Sequence, residues 1–239
     1  MNICLIGYGR MGHEIERVAL SRGHQIVGKI DAEWRELPEC DVVIEFTQPD
    51  SALGNITKAM AVGVPVVSGT TGWLMDWAEA VHAVDKYDGT LFYASNFSVG
   101  VYLFRQINRQ LARMMNHFQS YEPTVEEIHH IHKLDYPSGT ALTLADDMVE
   151  QLASKSETLA YLSSDDAPEH RADQLLIRSV REDEVPGTHT VRYESGEDSI
   201  EIKHEAKSRA ALALGAVLAA EFVQGKKGIY GMEDLIPLN

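Results

Sequence analysis

The chain has 239 residues, 44% hydrophobic and 24% charged, a balance that excludes intrinsic disorder and fibrous repeats and suits two modest domains. Its 36 acids against 21 bases give a formal net charge of −15, which repels polyanions and argues against nucleic acid as a partner. Cys4 and Cys40 lie far apart without CxxC spacing, so a disulfide framework or cysteine zinc site is excluded and a reducing compartment is expected. The start of the chain shows no signal-peptide pattern, and the longest apolar run, Ala210 to Ala220, has eleven residues where a membrane span needs about 20. The expected location is the cytoplasm.

The first hundred residues alternate short β-rich runs with helix-length segments, the pattern of a parallel sheet with crossover helices. Strands are predicted at Asn2 to Ile6, Gln25 to Ile30, Asp41 to Phe46, Pro65 to Ser68 and Thr90 to Ala94, with helices near residues 11–21, 51–61 and 75–87. Ser98 then opens a longer helix whose apolar positions Leu103, Phe104, Ile107, Leu111, Met114, Met115 and Phe118 recur at helical spacing, with Pro123 as its stop. Beyond it Val125 to Ile131 reads as a strand and 139–153 as a helix, and 163–173 reads as a solvated loop. Strands follow at Gln174 to Arg181, Thr188 to Glu194 and Ser199 to Glu205. Strands in sequence without helices between them predict an antiparallel or mixed sheet, hence a second domain of α+β type. Ala210 to Gln224 is a final helix. The expected fold is thus α/β, a parallel-sheet domain over the first hundred residues followed by a second, α+β domain with an antiparallel or mixed sheet.

Gly7-Tyr8-Gly9-Arg10-Met11-Gly12 follows the first strand directly and opens the first helix. In that setting Gly7 makes the turn, Gly9 lets the backbone approach a pyrophosphate, Gly12 lets helix and strand pack closely, and the helix N-terminus offers amide donors. Asp31, 19 residues after Gly12 at the end of the second strand, suits a ribose diol and so favours NAD over NADP, a preference that Lys29 and Arg35 soften. Gly69-Thr70-Thr71-Gly72 and Ala94-Ser95-Asn96-Phe97 end the fourth and fifth strands, where ligands of such sheets bind.

Three of ten histidines fall in His129-His130-Ile131-His132-Lys133. On a strand, His130 and His132 would share one face and His129 would point to the other with Ile131. Histidine titrates near neutrality and a lysine beside other cations can lose its proton readily, so the pair suits proton transfer. Pro137 to Thr140 then starts a helix whose free amides can hold a carboxylate. A metal site built from these histidines with Glu126 or Glu127 competes with this reading, but adjacent histidines diverge on a strand and Lys133 opposes a cation; no metal is expected.

Gly-Arg-Met-Gly, Gly-Thr-Thr-Gly, Ser-Asn-Phe-Ser-Val-Gly and, above all, Glu-x-His-His-x-x-Lys-x-Asp-x-Pro-Ser-Gly-Thr-Ala make the chain similar to bacterial 4-hydroxy-tetrahydrodipicolinate reductases, also called dihydrodipicolinate reductases. The resemblance extends through Pro186 to Thr190 and from Ile202 to Leu235. It implies an enzyme of diaminopimelate and lysine biosynthesis, with NADH or NADPH held by Gly7, Tyr8, Gly9, Arg10, Met11, Gly12, Asp31, Gly69, Thr70, Thr71, Ala94, Ser95, Asn96 and Phe97. It also implies His129 and Lys133 as proton-handling residues, with His130, Gly139 and Thr140 binding a small dicarboxylate substrate. With it come a homotetramer and a division of the chain into 1–98 with 209–239, a dinucleotide-binding domain of Rossmann type completed by the C-terminal segment, and 99–208, a substrate-binding and oligomerisation domain whose open mixed sheet builds the tetramer; domain closure about links near residues 98 and 208 is expected to bring nicotinamide to substrate. The chain departs from the family pattern in a short segment between Asp31 and Asp41, in Tyr136 before the proline, and in the compact form of its fingerprint. Another two-domain amino-acid dehydrogenase, or an NAD(P)H-sensing regulator without turnover, is the alternative.

Overall fold

The structure is a computed structural model and describes residues 1–237; positions 238 and 239, assigned above to the first domain, lie outside the described residues. In chain order the elements are β1 (Asn2–Ile6), α1 (Arg10–Ser21), β2 (Gln25–Ile30), β3 (Val42–Glu45), α2 (Pro49–Ala61), β4 (Val66–Ser68), α3 (Trp77–Tyr87), β5 (Thr90–Tyr93) and α4 (Val99–Met115). They continue with β6 (Glu122–His129), α5 (Gly139–Gln151), β7 (Glu157–Leu162), β8 (Gln174–Arg181), β9 (Thr188–Glu194), β10 (Ser199–Glu205), α6 (Ala210–Phe222), β11 (Gly228–Tyr230) and α7 (Met232–Leu235). The chain divides into two compact units, Met1–Val99 with the segment from Arg209 onward, and Gly100–Ser208.

Unit one holds a six-stranded, wholly parallel sheet in the order β11-β5-β4-β3-β1-β2. Because β2 and β3 flank β1 on opposite sides, the order reverses between β1 and β3, which is where a doubly wound sheet opens a ligand crevice. β3 and β4 are buried throughout, consistent with helices on both faces. Cys4, Ile6, Val43, Val66 and Leu91 pack against Ile56, Met60, Ala80 and Ala83 of α2 and α3, whereas α6 packs on α1 and the other face. No helix joins β2 to β3. Trp34, almost fully buried, fastens that link through Nε1 donating to Asn55 Oδ1 of α2 at 2.9 Å. The two cysteines meet here as free thiols, and hydrogen bonding to Cys40 together with burial pushes the Cys4 thiol up.

Unit two holds a mixed sheet in the order β10-β9-β6-β8-β7, antiparallel from β10 to β6 and parallel from β6 to β7. α4 and α5 cover one face through Phe104, Met115, Leu144 and Met148 against Val125, Ile177, Val191 and Tyr193. The Lys155 ammonium is buried and donates to the carbonyls of Ala172 and Gln174 at 2.9 and 3.2 Å, which fastens the 163–173 loop where it enters β8.

Three expectations are corrected. α4 ends at Met115, and Pro123 does not stop it; it is the second residue of β6, opposite Tyr193 of β9 and ahead of the first pairing with β8, where a missing N–H is tolerated. The apolar periodicity overstates the buried face: Phe104 and Met115 are buried, but Leu103, Ile107 and Met114 are exposed within α4, as is Phe118 beyond its end. β6 ends at His129, so His130 to His132 leave the sheet. The short strands β7 and β11 and the short helix α7 add to the predicted elements.

Gly215 in α6 lies where a Cβ would be 1.7 Å from the Phe97 carbonyl oxygen. Helix propensity alone would make Gly215→Ala stabilising by about 1 kcal/mol, but backbone collision reverses the sign. Urea unfolding should show a loss of about 1–3 kcal/mol.

Candidate active site

Strand register aligns the first group of predicted residues. Ile6 is paired with both Ile30 and Glu45, Glu45 with Ser68 and Ser68 with Tyr93, so Gly7, Asp31, Gly69 and Ala94 are the first residues beyond one line of strand ends. The three fingerprint glycines differ in what a side chain would meet. Gly7, at φ +91°, would drive a Cβ to 1.9 Å from the Phe46 carbonyl oxygen, and Gly12 would drive one to 2.5 Å from the Gly7 oxygen; at Gly9 nothing lies within 4 Å. Turn, close packing and open approach are thus separate requirements, and a pyrophosphate fits the open one. No side chain caps α1, so its first amides are available to an anion.

Asp31 is exposed and accepts from Tyr8 N through Oδ1 at 3.0 Å. Lys29 is engaged elsewhere, with Nζ 2.6 Å from Glu16 Oε1 and 4.8 Å above the Tyr8 ring, while the Tyr8 hydroxyl donates to Glu16. Beside Asp31 lies a crevice of about 560 Å³ lined by Gly7, Phe46, Thr47, Ser51 and Asn55 among others, within the usual size range of small-molecule sites.

Glu45, fully buried at the end of β3, was read only as part of a strand. Its carboxylate accepts from Ser68 Oγ at 2.6 Å, Thr70 Oγ1 at 2.7 Å and Thr47 N at 3.0 Å, tying the loop after β3 to the loop after β4. An acid closing the apolar run Val42-Val43-Ile44 was the available signal. Thr70 therefore spends its side chain on Glu45, and its carbonyl accepts from Trp73 Nε1 at 2.8 Å. Thr71 and Ser95 are exposed. Asn96 Oδ1 accepts from Ser98 N at 2.9 Å, and the Phe97 side chain belongs to the core, 5.7 Å from the rings of Phe46 and Phe92.

The second group lies in unit two, where β6 meets α5. Because β6 alternates, Glu127 and His129 share its buried face with Val125; His129 does not share a face with Ile131, which lies in the turn beyond the strand. Glu127 is fully buried. Both its oxygens accept from Ser138 N at 3.1 Å, and Oε1 also accepts from Ser179 Oγ at 2.7 Å and Arg181 Nη2 at 3.4 Å. His129 Nδ1 lies 3.1 Å from Oε2, at an angle short of a well-aligned hydrogen bond. Burial alone would raise the Glu127 carboxyl; the His129 imidazole beside it and the hydrogen bonds from Ser138 and Ser179 outweigh burial and hold the group well below the usual carboxylate range.

His189 of β9 completes the cluster, its ring edge-on to His129 at 5.2 Å and its Nε2 3.1 Å from Ser138 Oγ. Ser138 in turn caps α5 by accepting from Ala141 N at 3.2 Å. Gly139 and Thr140 are the first residues of that helix, and nothing stands within 4 Å of where a Gly139 Cβ would be. Lys133 Nζ donates to Asp135 Oδ2 at 2.7 Å, and Arg181 secures the loop by donating to the carbonyls of Lys133 and Asp135 at 3.1 and 2.7 Å. Past the strand, the His130 ring lies 6.0 Å from that of His132 at a tilt of 39°, and His132 bonds exposed Glu184 at 2.8 Å. Glu126 faces the opposite side of the sheet, paired with Arg178.

Glu127, His129 and His189 bring three possible metal ligands within 4.8 Å, a trio different from the one weighed on sequence. Three donors already occupy Glu127 Oε1, and the Arg181 guanidinium at the same oxygen opposes a second cation. The trio is better suited to passing and holding protons. Arg181 and His189 were legible only as strand residues, since neither carries a local signal that it reaches β6.

The fold and these two groups of residues define a two-domain, dinucleotide-dependent oxidoreductase. Family models for the C-terminal and N-terminal regions of dihydrodipicolinate reductase match residues 100–236 and 34–97. A 4-hydroxy-tetrahydrodipicolinate reductase from Christiangramia forsetii is 49% identical over 240 residues, spanning 99% of this chain and 98% of its own. One from Neisseria meningitidis serogroup B is 35% identical over 223 residues, 93% of this chain and 81% of its own. Dipicolinate-bound dihydrodipicolinate reductase from Paenisporosarcina sp. TG-14 shares the fold, with a TM-score of 0.76 over 99% of this chain and 100% of that one at 19% identity. The chain belongs to the dihydrodipicolinate reductase family.

Burial first, and the neighbouring His129 second, push His189 down from 6.5 to about 4. Between those values the unfolded chain holds a proton that the folded chain does not, so stability falls as the pH falls, by up to roughly 3 kcal/mol at the foot of the window. Below the ordinary Glu value the depressed Glu127 adds a loss of the same sign. Urea midpoints measured from pH 7 to 4.5 should decline, and His189→Asn should flatten the decline; an unchanged slope would remove His189 as its cause.

Proposed function

We propose that the chain reduces 4-hydroxy-tetrahydrodipicolinate, through the cyclic imine left by loss of water, to tetrahydrodipicolinate. The observation that carries this reading is the meeting of His129 and the N-terminus of α5 at one buried carboxylate, with Lys133 on the adjoining loop that Arg181 fastens to the same group. Unit one would hold the dinucleotide: the amides of α1 and Gly7 to Gly12 at the pyrophosphate, Asp31 at the ribose, and the loops 69–71 and 94–97 toward the nicotinamide. With Lys29 held by Glu16, the group facing the ribose is the Asp31 carboxylate, which suits a 2′-hydroxyl. When bound, NADH or NADPH supplies the hydride.

In unit two the first amides of α5, at Gly139 and Thr140, would hold a substrate carboxylate, with His130 as a further contact. Lys133 would give its proton to the carbon beside the one that receives hydride, and its charge would draw electron density along the imine. His129 would exchange protons and steady the charge that develops. Exposed Tyr136, beside this loop, would narrow the entrance. The uncovered face of the second sheet, with Glu126, Ile128, Arg178, Thr190, Arg192 and Lys203, is the surface for a homotetramer; light scattering should return four chains. A cytoplasmic setting agrees with the two free thiols.

The test follows NADH and NADPH absorbance with substrate generated in situ from pyruvate and aspartate semialdehyde. Oxidation of at least one cofactor is expected, and none with either would sink the assignment, leaving a sensing role. Lys133→Ala should lower kcat by about 10²–10⁴; full turnover would leave the function standing and remove the proton donor.

A further inference from the structure

His129 is presented by more than its own strand. On Glu127, Ser138 N, Ser179 Oγ and Arg181 Nη2 converge on Oε1, while Oε2, shared only with Ser138 N, looks toward the imidazoles: His129 Nδ1 at 3.1 Å and His189 Nε2 at 4.0 Å. An ionised carboxylate only accepts, so facing Nδ1 it selects the imidazole that carries hydrogen there and leaves the lone pair on Nε2. On the Nε2 side is Gly187, at φ +152°, where a Cβ would come within 3.0 Å of that nitrogen. The same carboxylate holds Ser138 N, and Ser138 Oγ caps α5. His189, edge-on to the ring, and Arg181, opposite His129 on β8, are the other titratable or charged groups beside it.

We propose that Glu127 is the positioning residue of this site: one buried carboxylate fixes the tautomer of His129, with Nε2 free to take a proton, and seats the N-terminus of α5 that receives the substrate carboxylate. Base and anion cradle are thereby held at a fixed separation without Glu127 touching substrate. For its effect on turnover the inference rests on the reductase reading; for the tautomer it rests on geometry alone.

Glu127→Gln separates the two duties. The amide oxygen still accepts from Ser138 N and Ser179 Oγ, but the amide nitrogen then faces Nδ1 as a donor and drives the ring hydrogen to Nε2. Solid-state NMR of the full chain labelled with ¹⁵N-histidine, with His129 assigned by its loss in His129→Asn, should show hydrogen on Nδ1 in the parent at pH 8 and on Nε2 in the variant. Turnover should fall by about 10²-fold in kcat, with KM for substrate and cofactor little changed. Hydrogen on Nε2 in the parent overturns the proposal even if the variant does not fold. The same tautomer in both, or a loss confined to KM, also overturns it. A parent that never oxidises NADH or NADPH overturns the reductase reading and leaves the tautomer result to stand or fall by itself.

Discussion

A carboxylate taken out of water is stable only if donors replace the solvent it loses. Each unit of this protein is arranged around one such group at the carboxyl end of a central strand. Glu45 on β3 is met by hydroxyls and an amide from the end of β4 and the loops after β3 and β4; Glu127 on β6 is met by donors from β8 and the start of α5, with His129 of its own strand beside it. In both places the demand for donors determines where neighbouring loops must run. The loops that carry site residues are therefore fastened to the sheet from beneath, at the cost of a buried charge that tolerates no missing partner.

This arrangement explains how much of the molecule was legible in its sequence. Strands buried on two faces announce themselves as apolar runs, and the glycine fingerprint states its own geometry, so β1 to β5 and the turn after β1 could be read closely. β7 and β11 lack such a signal: Glu157 to Leu162 does not alternate, and Gly228-Ile229-Tyr230 becomes a strand only because β5 is there to pair with it. Ile131 does not share the face of His129 because the end of β6 is decided by its neighbours, and continuing the alternation through Ile131 assumes that the strand goes on. Pro123 misled for a related reason, since a residue without an N–H marks a helix end or a strand beginning with equal force. His189 and Arg181 reach the site from β9 and β8, a meeting that no local pattern encodes.

The charge distribution takes on a different meaning in three dimensions. Residues 100–208 carry 20 acids against 11 bases, yet this is the unit that presents His129, Lys133 and Arg181 together at a helix N-terminus. Several of the acids are neutralised in place, as Asp147 is by Arg105 and Arg109 and Glu122 by Lys155. Local donors, and not the net charge of the unit, decide whether a small dianion is welcome.

Unit one is interrupted: α6 packs on α1 and β11 completes the edge beside β5 only after the whole of unit two has been made. On the ribosome unit two is therefore complete before its host, whose sheet waits for its last strand with the β5 edge unpaired and the faces meant for α6 uncovered. The unit that begins first is thus completed last, and the half-made parallel sheet is the stage at which the nascent chain is most open to aggregation.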